Sequence, residues 1–248
     1  MKHDRREFIK KAGWTFIGSG LYINLFSAGP ALAGSRSSAL KNLYAFIVNT
    51  ETCIGCGKCT AACRTENSVP DGNYRTWIER YTIMRSGSVE VDSPHGGEKG
   101  FTPLSFNPAD IRKSFFVPKL CNHCKKPNCV QVCPVGATYV SPEGFVLVDE
   151  KRCVGCSYCM QACPYSARFM NPVTHTADKC TWCYHRIRQG KTTACVQVCP
   201  VGARLFGRVD DTDGPVAQLL KAKRLQVLKP ETGNEPMVLY VGLDKEVH

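Results

Sequence analysis

Acidic side chains are scarce in this sequence. There are 21 Asp and Glu against 32 Lys and Arg in 248 residues, for a formal charge of +11. Apolar residues make up only 43%, too few for a polytopic membrane protein and too many for a disordered chain. The length allows one or two compact domains. A basic excess of this size suits a nucleic-acid partner, but part of it is local. Residues 1–33 hold Lys2, Arg5, Arg6, Lys10 and Lys11 against Asp4 and Glu7, a net of +3 that leaves +8 on the remainder.

Cysteine is what the chain has in abundance. Its sixteen cysteines fall into four groups of four: Cys53, Cys56, Cys59, Cys63; Cys121, Cys124, Cys129, Cys133; Cys153, Cys156, Cys159, Cys163; and Cys180, Cys183, Cys195, Cys199. Short fixed spacings are a ligand signal, because chelation needs several thiolates aimed at one point. The first and third groups read C-x2-C-x2-C-x3-C, the ferredoxin run in which the fourth cysteine serves a neighbouring cluster. A tight loop wraps three thiolates around a cubane and turns backbone N–H groups toward sulfur. The fourth cysteine is expected to start a helix leading to a second cubane, and the proline that follows it suits a helix start. The second and fourth groups, C-x2-C-x4-C-x3-C and C-x2-C-x11-C-x3-C, stretch only the distance to the third thiol. The first group has Arg64 where the others have Pro134, Pro164 and Pro200.

Four-thiolate zinc is the competing reading. It is disfavoured because C-x3-C-P closes three of the groups. Each oxidised [4Fe-4S] core with four thiolates carries about −2. Four such sites bring the +8 chain close to neutral, so the basic excess needs no nucleic acid.

The amino terminus reads as an export signal, with a charged head, an uncharged stretch from Ala12 to Ala33 and a small-residue exit. Arg5 and Arg6 with Phe8, Ile9 and Lys10 resemble a twin-arginine signal, with Asp4 where Ser or Thr is usual. Cleavage is expected after Ala33. The alternative is an uncleaved anchor, which Gly18, Gly20, Asn24 and Pro30 disfavour. Export of an already folded chain lets thiols meet iron while reduced, which argues against the disulfides that secretion otherwise implies.

Residues 34–43 read as a linker, and 44–213 as the cluster-bearing domain. Tyr44–Thr50 and Gly144–Asp149 read as strands, each running into a cysteine group. C-V-Q-V-C-P-V-G-A at Cys129–Ala137 recurs at Cys195–Ala203, with the variant C-M-Q-A-C-P-Y-S-A at Cys159–Ala167. The fold expected is α+β: two pseudo-repeated ferredoxin-like modules with loop and hairpin insertions. The insertion at 64–120 reads as a hairpin, Tyr74–Met84 turning at Ser86-Gly87-Ser88 into V-E-V, followed by a flexible Gly-rich tip at His95–Gly100. Residues 214–248 read as a docking segment, with packing onto the chain's own domain as the simpler alternative. It consists of an amphipathic helix over Pro215–Leu228 with Leu219, Leu220, Leu225 and Leu228 on one stripe, then Pro230 and a strand over Met237–Leu243.

L-C-N-H-C at Leu120–Cys124, K-R-C-V-G-C-S-Y-C at Lys151–Cys159 and A-D-K-C-T-W-C-Y-H-R at Ala177–Arg186 carry a resemblance across nearly the whole chain after residue 33. The sequence resembles the iron-sulfur subunits of molybdopterin oxidoreductases of the dimethyl-sulfoxide, polysulfide and tetrathionate reductase type. The resemblance implies four [4Fe-4S] clusters with crossed ligation. Cys53, Cys56 and Cys59 join Cys199, and Cys180, Cys183 and Cys195 join Cys63. Cys121, Cys124 and Cys129 join Cys163, and Cys153, Cys156 and Cys159 join Cys133. It also implies a non-catalytic subunit that relays electrons between a molybdopterin catalytic subunit and a polytopic quinol-reactive membrane subunit, on the periplasmic side and membrane-associated through its partners. A freely diffusing multi-cluster ferredoxin is the alternative, as is an electron-transfer subunit of an exported complex without a pterin enzyme. Lys151, Arg152 and Lys179 flank cluster loops and are candidates for raising potentials. His123 and His185 are candidate donors to sulfur, with ordinary packing as the simpler role. Trp77 and Trp182 read as core or interface aromatics.

Overall fold

The computed structural model describes residues 44–222 and 224–247. The export signal and the linker lie outside the described residues. The first strand, β1 (Tyr44–Asn49), is the apolar run expected of a strand covered on both faces. Ala45, Phe46, Ile47 and Val48 are all buried. It is the middle strand of a sheet, antiparallel to β9 (Arg204–Arg208) and parallel to β10 (Val238–Val241). The chain's last strand is therefore zipped beside its first, and the segment 214–248 supplies core, with Val238 and Tyr240 fully buried.

The insertion builds a second sheet from β2 (Thr76–Met84), β3 (Val89–Asp92) and β4 (Ile111–Leu120), with β2 in the middle. The expected hairpin is β2–β3, and β4 completes it along nearly its whole length. Two short antiparallel pairs follow: β5 (Thr138–Val140) with β6 (Val146–Val148), and β7 (Arg168–Met170) with β8 (Ala177–Lys179). In each pair one strand follows a C-x3-C-P ending and the other precedes a CxxC start.

Helices are short, and all but the last sit at the cysteines. They are α1 (Lys58–Asn67), α2 (Asn128–Gln131), α3 (Tyr158–Gln161), α4 (Tyr184–Ile187), α5 (Ala194–Gln197) and α6 (Pro215–Ala222). Among the described residues no helix is long and apolar enough to cross a membrane.

Three expectations need correction. The fourth cysteine does not start a helix: Cys133, Cys163 and Cys199 follow the turns α2, α3 and α5, which carry the third cysteine instead. Backbone N–H groups beyond the proline then fold back on the sulfur, as with Ala203 N to Cys199 Sγ at 3.2 Å. Helix α6 stops at Ala222, short of Leu228, because the chain next pairs with the sheet. Gln226 and Tyr240 exchange two backbone hydrogen bonds, of 2.9 and 2.8 Å. No leucine stripe forms, since Leu220 is exposed while Leu228 is buried outside the helix.

The stretch His95–Gly100 is not a flexible tip either. Pro94–Gly97 is a tight turn with left-handed His95 and Gly96; Gly96 is buried beside Tyr74 and Gly97 beside Ile78 of β2, and Thr60 Oγ1 of α1 donates to Gly96 O at 3.3 Å. Arg64 clamps Glu98 with two bonds of 2.8 Å and donates to the carbonyls of Val69 and Pro70. This also explains why the first group lacks its proline. Helix α1 continues through position 64, where a proline would break it.

Candidate metal centres

All sixteen cysteines are free thiols, and most are buried or half-buried. Loop glycines shape the first site. Gly57, at φ +75°, caps α1, and a Cβ there would overlap the carbonyl oxygens of Gly97 and Glu98. Gly57→Ala is expected to cost about 1–3 kcal/mol through left-handed strain and displacement of backbone, and to lower the iron content of the first site. Thermal denaturation and iron analysis check it; an unchanged midpoint would mean that turn 94–97 is not held against this loop.

Cys53, Cys56 and Cys59, from the loop and start of α1, line one cavity together with Cys199 from beyond α5. Burial pushes the Cys53 thiol up to about 11, opposed by the Gly55 N–H and Arg204, and Cys199 is among the thiols that raise it further. Cys121, Cys124, Cys129 and Cys163 line a second cavity. Burial raises the Cys124 thiol, helped by the charges of Cys121, Cys129 and Cys163.

Cys63 turns away from its own loop. Burial raises its thiol, and the neighbours adding to that are Cys195 and Cys183. Cys180 is raised by burial and then by Cys63, Cys195 and Cys183. The Asn67 amide reaches Cys63 Sγ at 3.5 Å and Cys183 Sγ at 3.9 Å. For Cys153, Cys156, Cys159 and Cys133 the structure gives the surroundings. Helix α2, ahead of Cys133, packs on α3, which carries Cys159. Thr138 N lies 3.4 Å from Cys133 Sγ, and Ala177 N lies 3.4 Å from Cys153 Sγ. Burial would raise the Cys133 thiol, but N–H groups of Thr138, Val135 and Ala137 outweigh it and the net shift is downward.

Four thiols lining each of these two cavities make a donor set for a metal centre. Zinc needs thiolates about 2.3 Å from one point. Among the described residues no three His, Cys, Asp or Glu are so placed; the thiols stand around cavities. The chemistry of the lining also fits an anionic guest. Arg204 is 2% exposed and its Nη1 and Nη2 have no hydrogen-bond partner. A buried cation left uncompensated costs several kcal/mol. The Asn122 amide, lining the second cavity, is likewise buried without a partner.

The flanking residues sort by burial. Lys151 and Arg152 are exposed, with Arg152 near Asp149 at 3.6 Å. Lys179 is fully buried, and its ammonium donates to Cys180 O at 2.8 Å and to Val146 O. His185 pairs with Glu66 at 2.7 Å and Trp77 donates to Glu79 at 2.8 Å, so neither is directed at sulfur in these bonds. His123 is fully buried. Burial, and then Lys179, holds it far below the usual imidazole range and therefore neutral. Its Nδ1 accepts from Val146 N–H and its Nε2 donates to Cys180 O, both at 3.0 Å.

The two xx segments in C-N-H-C and C-T-W-C reach across to each other. His123 bonds the carbonyl of Cys180, Trp182 Nε1 bonds the carbonyl of Cys121 at 3.2 Å, and the rings stack at 4.2 Å. Trp182 is also the hub of a core of Phe46, Phe145 and Phe206. At the outer sites the chain opens instead. Cys56 and Cys156 are exposed, beside exposed Ile54, Val154 and Tyr158.

Arg168 and Arg204 were not among the residues expected from the sequence. The signal was available, since each stands directly after a repeat of C-x3-C-P-x-x-A.

Comparison with known proteins finds two 4Fe-4S dicluster domains, over residues 52–137 and 112–209. The B subunit of tetrathionate reductase from Salmonella typhimurium is 40% identical over 246 residues, 98% of this chain and 90% of that protein. Its counterpart of the same name from Archaeoglobus fulgidus is 45% identical over 213 residues, 85% and 88% of the two chains. The thiosulfate reductase electron transfer subunit PhsB of Salmonella typhi is 39% identical over 175 residues, 70% and 80%.

Proposed function

Because this chain belongs to the family of iron-sulfur electron-transfer subunits of reductase complexes, we propose that it holds four [4Fe-4S] clusters in two pseudo-repeated modules and relays electrons within an exported respiratory complex. It is not the catalytic subunit. The observation that carries the reading is the crossing of groups. Cys199 lies with the first group and Cys163 with the second, each four-thiol set lining one cavity.

The ligand sets are Cys53, Cys56, Cys59 and Cys199; Cys180, Cys183, Cys195 and Cys63; Cys121, Cys124, Cys129 and Cys163; and Cys153, Cys156, Cys159 and Cys133. When bound, each cluster supplies one-electron redox chemistry without a proton. The chain's own contribution is spacing, burial and charge. His123 and Trp182 fix the loop of Cys180 against that of Cys121, so those sets are the inner pair. The exposed thiols Cys56 and Cys156 mark the ends, where apolar Ile54, Val154 and Tyr158 suit docking. One end faces a molybdopterin catalytic subunit of tetrathionate-reductase type, and the other a quinol-reactive membrane subunit. The twin-arginine segment would place the complex on the periplasmic side.

Anaerobic purification of the tagged chain from its own cells tests this. About sixteen iron and sixteen sulfide per chain, with a large catalytic partner retained, is the expected result. Zinc with little iron overturns the cluster reading, and full iron with no stable partner leaves a diffusing ferredoxin instead.

A further inference from the structure

The nine-residue repeat has a tenth position that the cysteines do not explain. Thr138, Arg168 and Arg204 each follow a C-x3-C-P-x-x-A ending and each begin a strand: β5, β7 and β9. All are buried, and two of the three are guanidinium groups. Buried arginine is rare unless paired. For Arg168 the partner is a sulfur atom. Arg168 Nη2 donates to Cys129 Sγ at 3.1 Å. Its Nη1 lies 3.4 Å from Thr138 Oγ1, and the Thr138 N–H in turn lies 3.4 Å from Cys133 Sγ. Arg168 thus touches one ligand set directly and the next through a single residue. Arg204 lines the first cavity, with both terminal nitrogens unpartnered. The thiols acting on it belong to two sets, Cys59 and Cys53 from one and Cys195 from the other.

We propose that Arg204 and Arg168 are paired, fixed countercharges: each sits between the two clusters of one module and holds both of their reduction potentials up. This rests on the four-cluster reading above. The physical basis is simple. One-electron reduction adds a negative charge at the site, supplied by the electron donor, with no proton taken up. A cation alongside in a medium of low polarity favours the more negative state. Guanidinium does not deprotonate in proteins, so the bias is permanent. One charge between two clusters raises both potentials together and leaves their difference largely unchanged.

The test is an EPR-monitored redox titration of anaerobically purified holoprotein carrying Arg204→Met, Arg168→Met, Arg204→Lys or Arg168→Lys. Arg204→Met should lower two midpoint potentials by at least tenfold in the reduction equilibrium, about 59 mV for one electron, and leave two unmoved. Arg168→Met should lower the complementary two, and each Lys variant should restore most of the shift. If a Met variant loses iron while its Lys counterpart loads fully, the countercharge role stands. Loss of iron in both, equal shifts of all four potentials, or unmoved potentials at full iron content would overturn it. A native chain without about sixteen iron would instead fail the four-cluster reading itself.

Discussion

Cys199→Ser removes the cluster held by Cys53, Cys56 and Cys59, at the far end of the cluster-bearing domain in sequence, and spares the one held by Cys195 just before it. About four iron are lost if the site empties and about one if it converts to a three-iron form; one EPR signal disappears or changes accordingly, and the other signals persist. The reason is the turn α5, which carries Cys195 inward toward Cys180, Cys183 and Cys63. The chain then reverses at Pro200, and Cys199 faces the first cavity. Ala203 N–H fixes the Cys199 sulfur there. Cys63→Ser should produce the reciprocal result, sparing the first set and removing that of Cys180. Iron analysis with EPR on both variants is the measurement. Loss of the cluster local in sequence in either variant would mean that each group is self-contained and the crossing is not ligation.

Removing iron with a chelator under reducing conditions should cost most of the fold. Helical turns of four residues and strands of three do not persist alone, because nucleation outweighs so few hydrogen bonds. Two buried guanidinium groups would also lose their counter-anions, at about 3–5 kcal/mol each against a total of about 5–15 kcal/mol for a domain. We expect the apo chain to lose its cooperative thermal transition. The sheet of β2, β3 and β4 should retain hydrogen-exchange protection longest, because it is long-paired and bears only the margins of the metal sites. Any apo structure left should weaken as pH rises. Burial holds the Cys53 proton up to about 11, against an ordinary thiol value of 9.0. Between those values the folded chain keeps a proton that the unfolded chain has shed, so folding loses ground with each step in pH. A cooperative melt undiminished after full iron removal would contradict this account.

Much of this was legible in the primary structure. Thiol spacing is local, and a loop of C-x2-C-x2-C can close around little else. Strands β1, β6 and β10 and the β2–β3 hairpin stand where apolar and β-branched residues cluster. The failures share a cause. His95–Gly100 reads as a loose tip because glycine permits many conformations, and only the clamp from Arg64 to Glu98, 34 residues away, selects one. Helix α6 was expected to run on through an apolar periodicity, but Gln226 found a strand partner in Tyr240. His123 offered no hint in sequence that both its nitrogens would be taken by backbone.

By itself, the order of residues determined sixteen candidate thiol ligands in four groups of four, because each group is built within a stretch of no more than twenty residues. Only the tertiary structure brought Cys199 to the first group and Cys163 to the second, left Cys56 and Cys156 exposed, and buried Arg168 and Arg204 among the cysteines. Those are properties of distance between segments far apart in the chain, and they are set when β1 is sandwiched between β9 and β10.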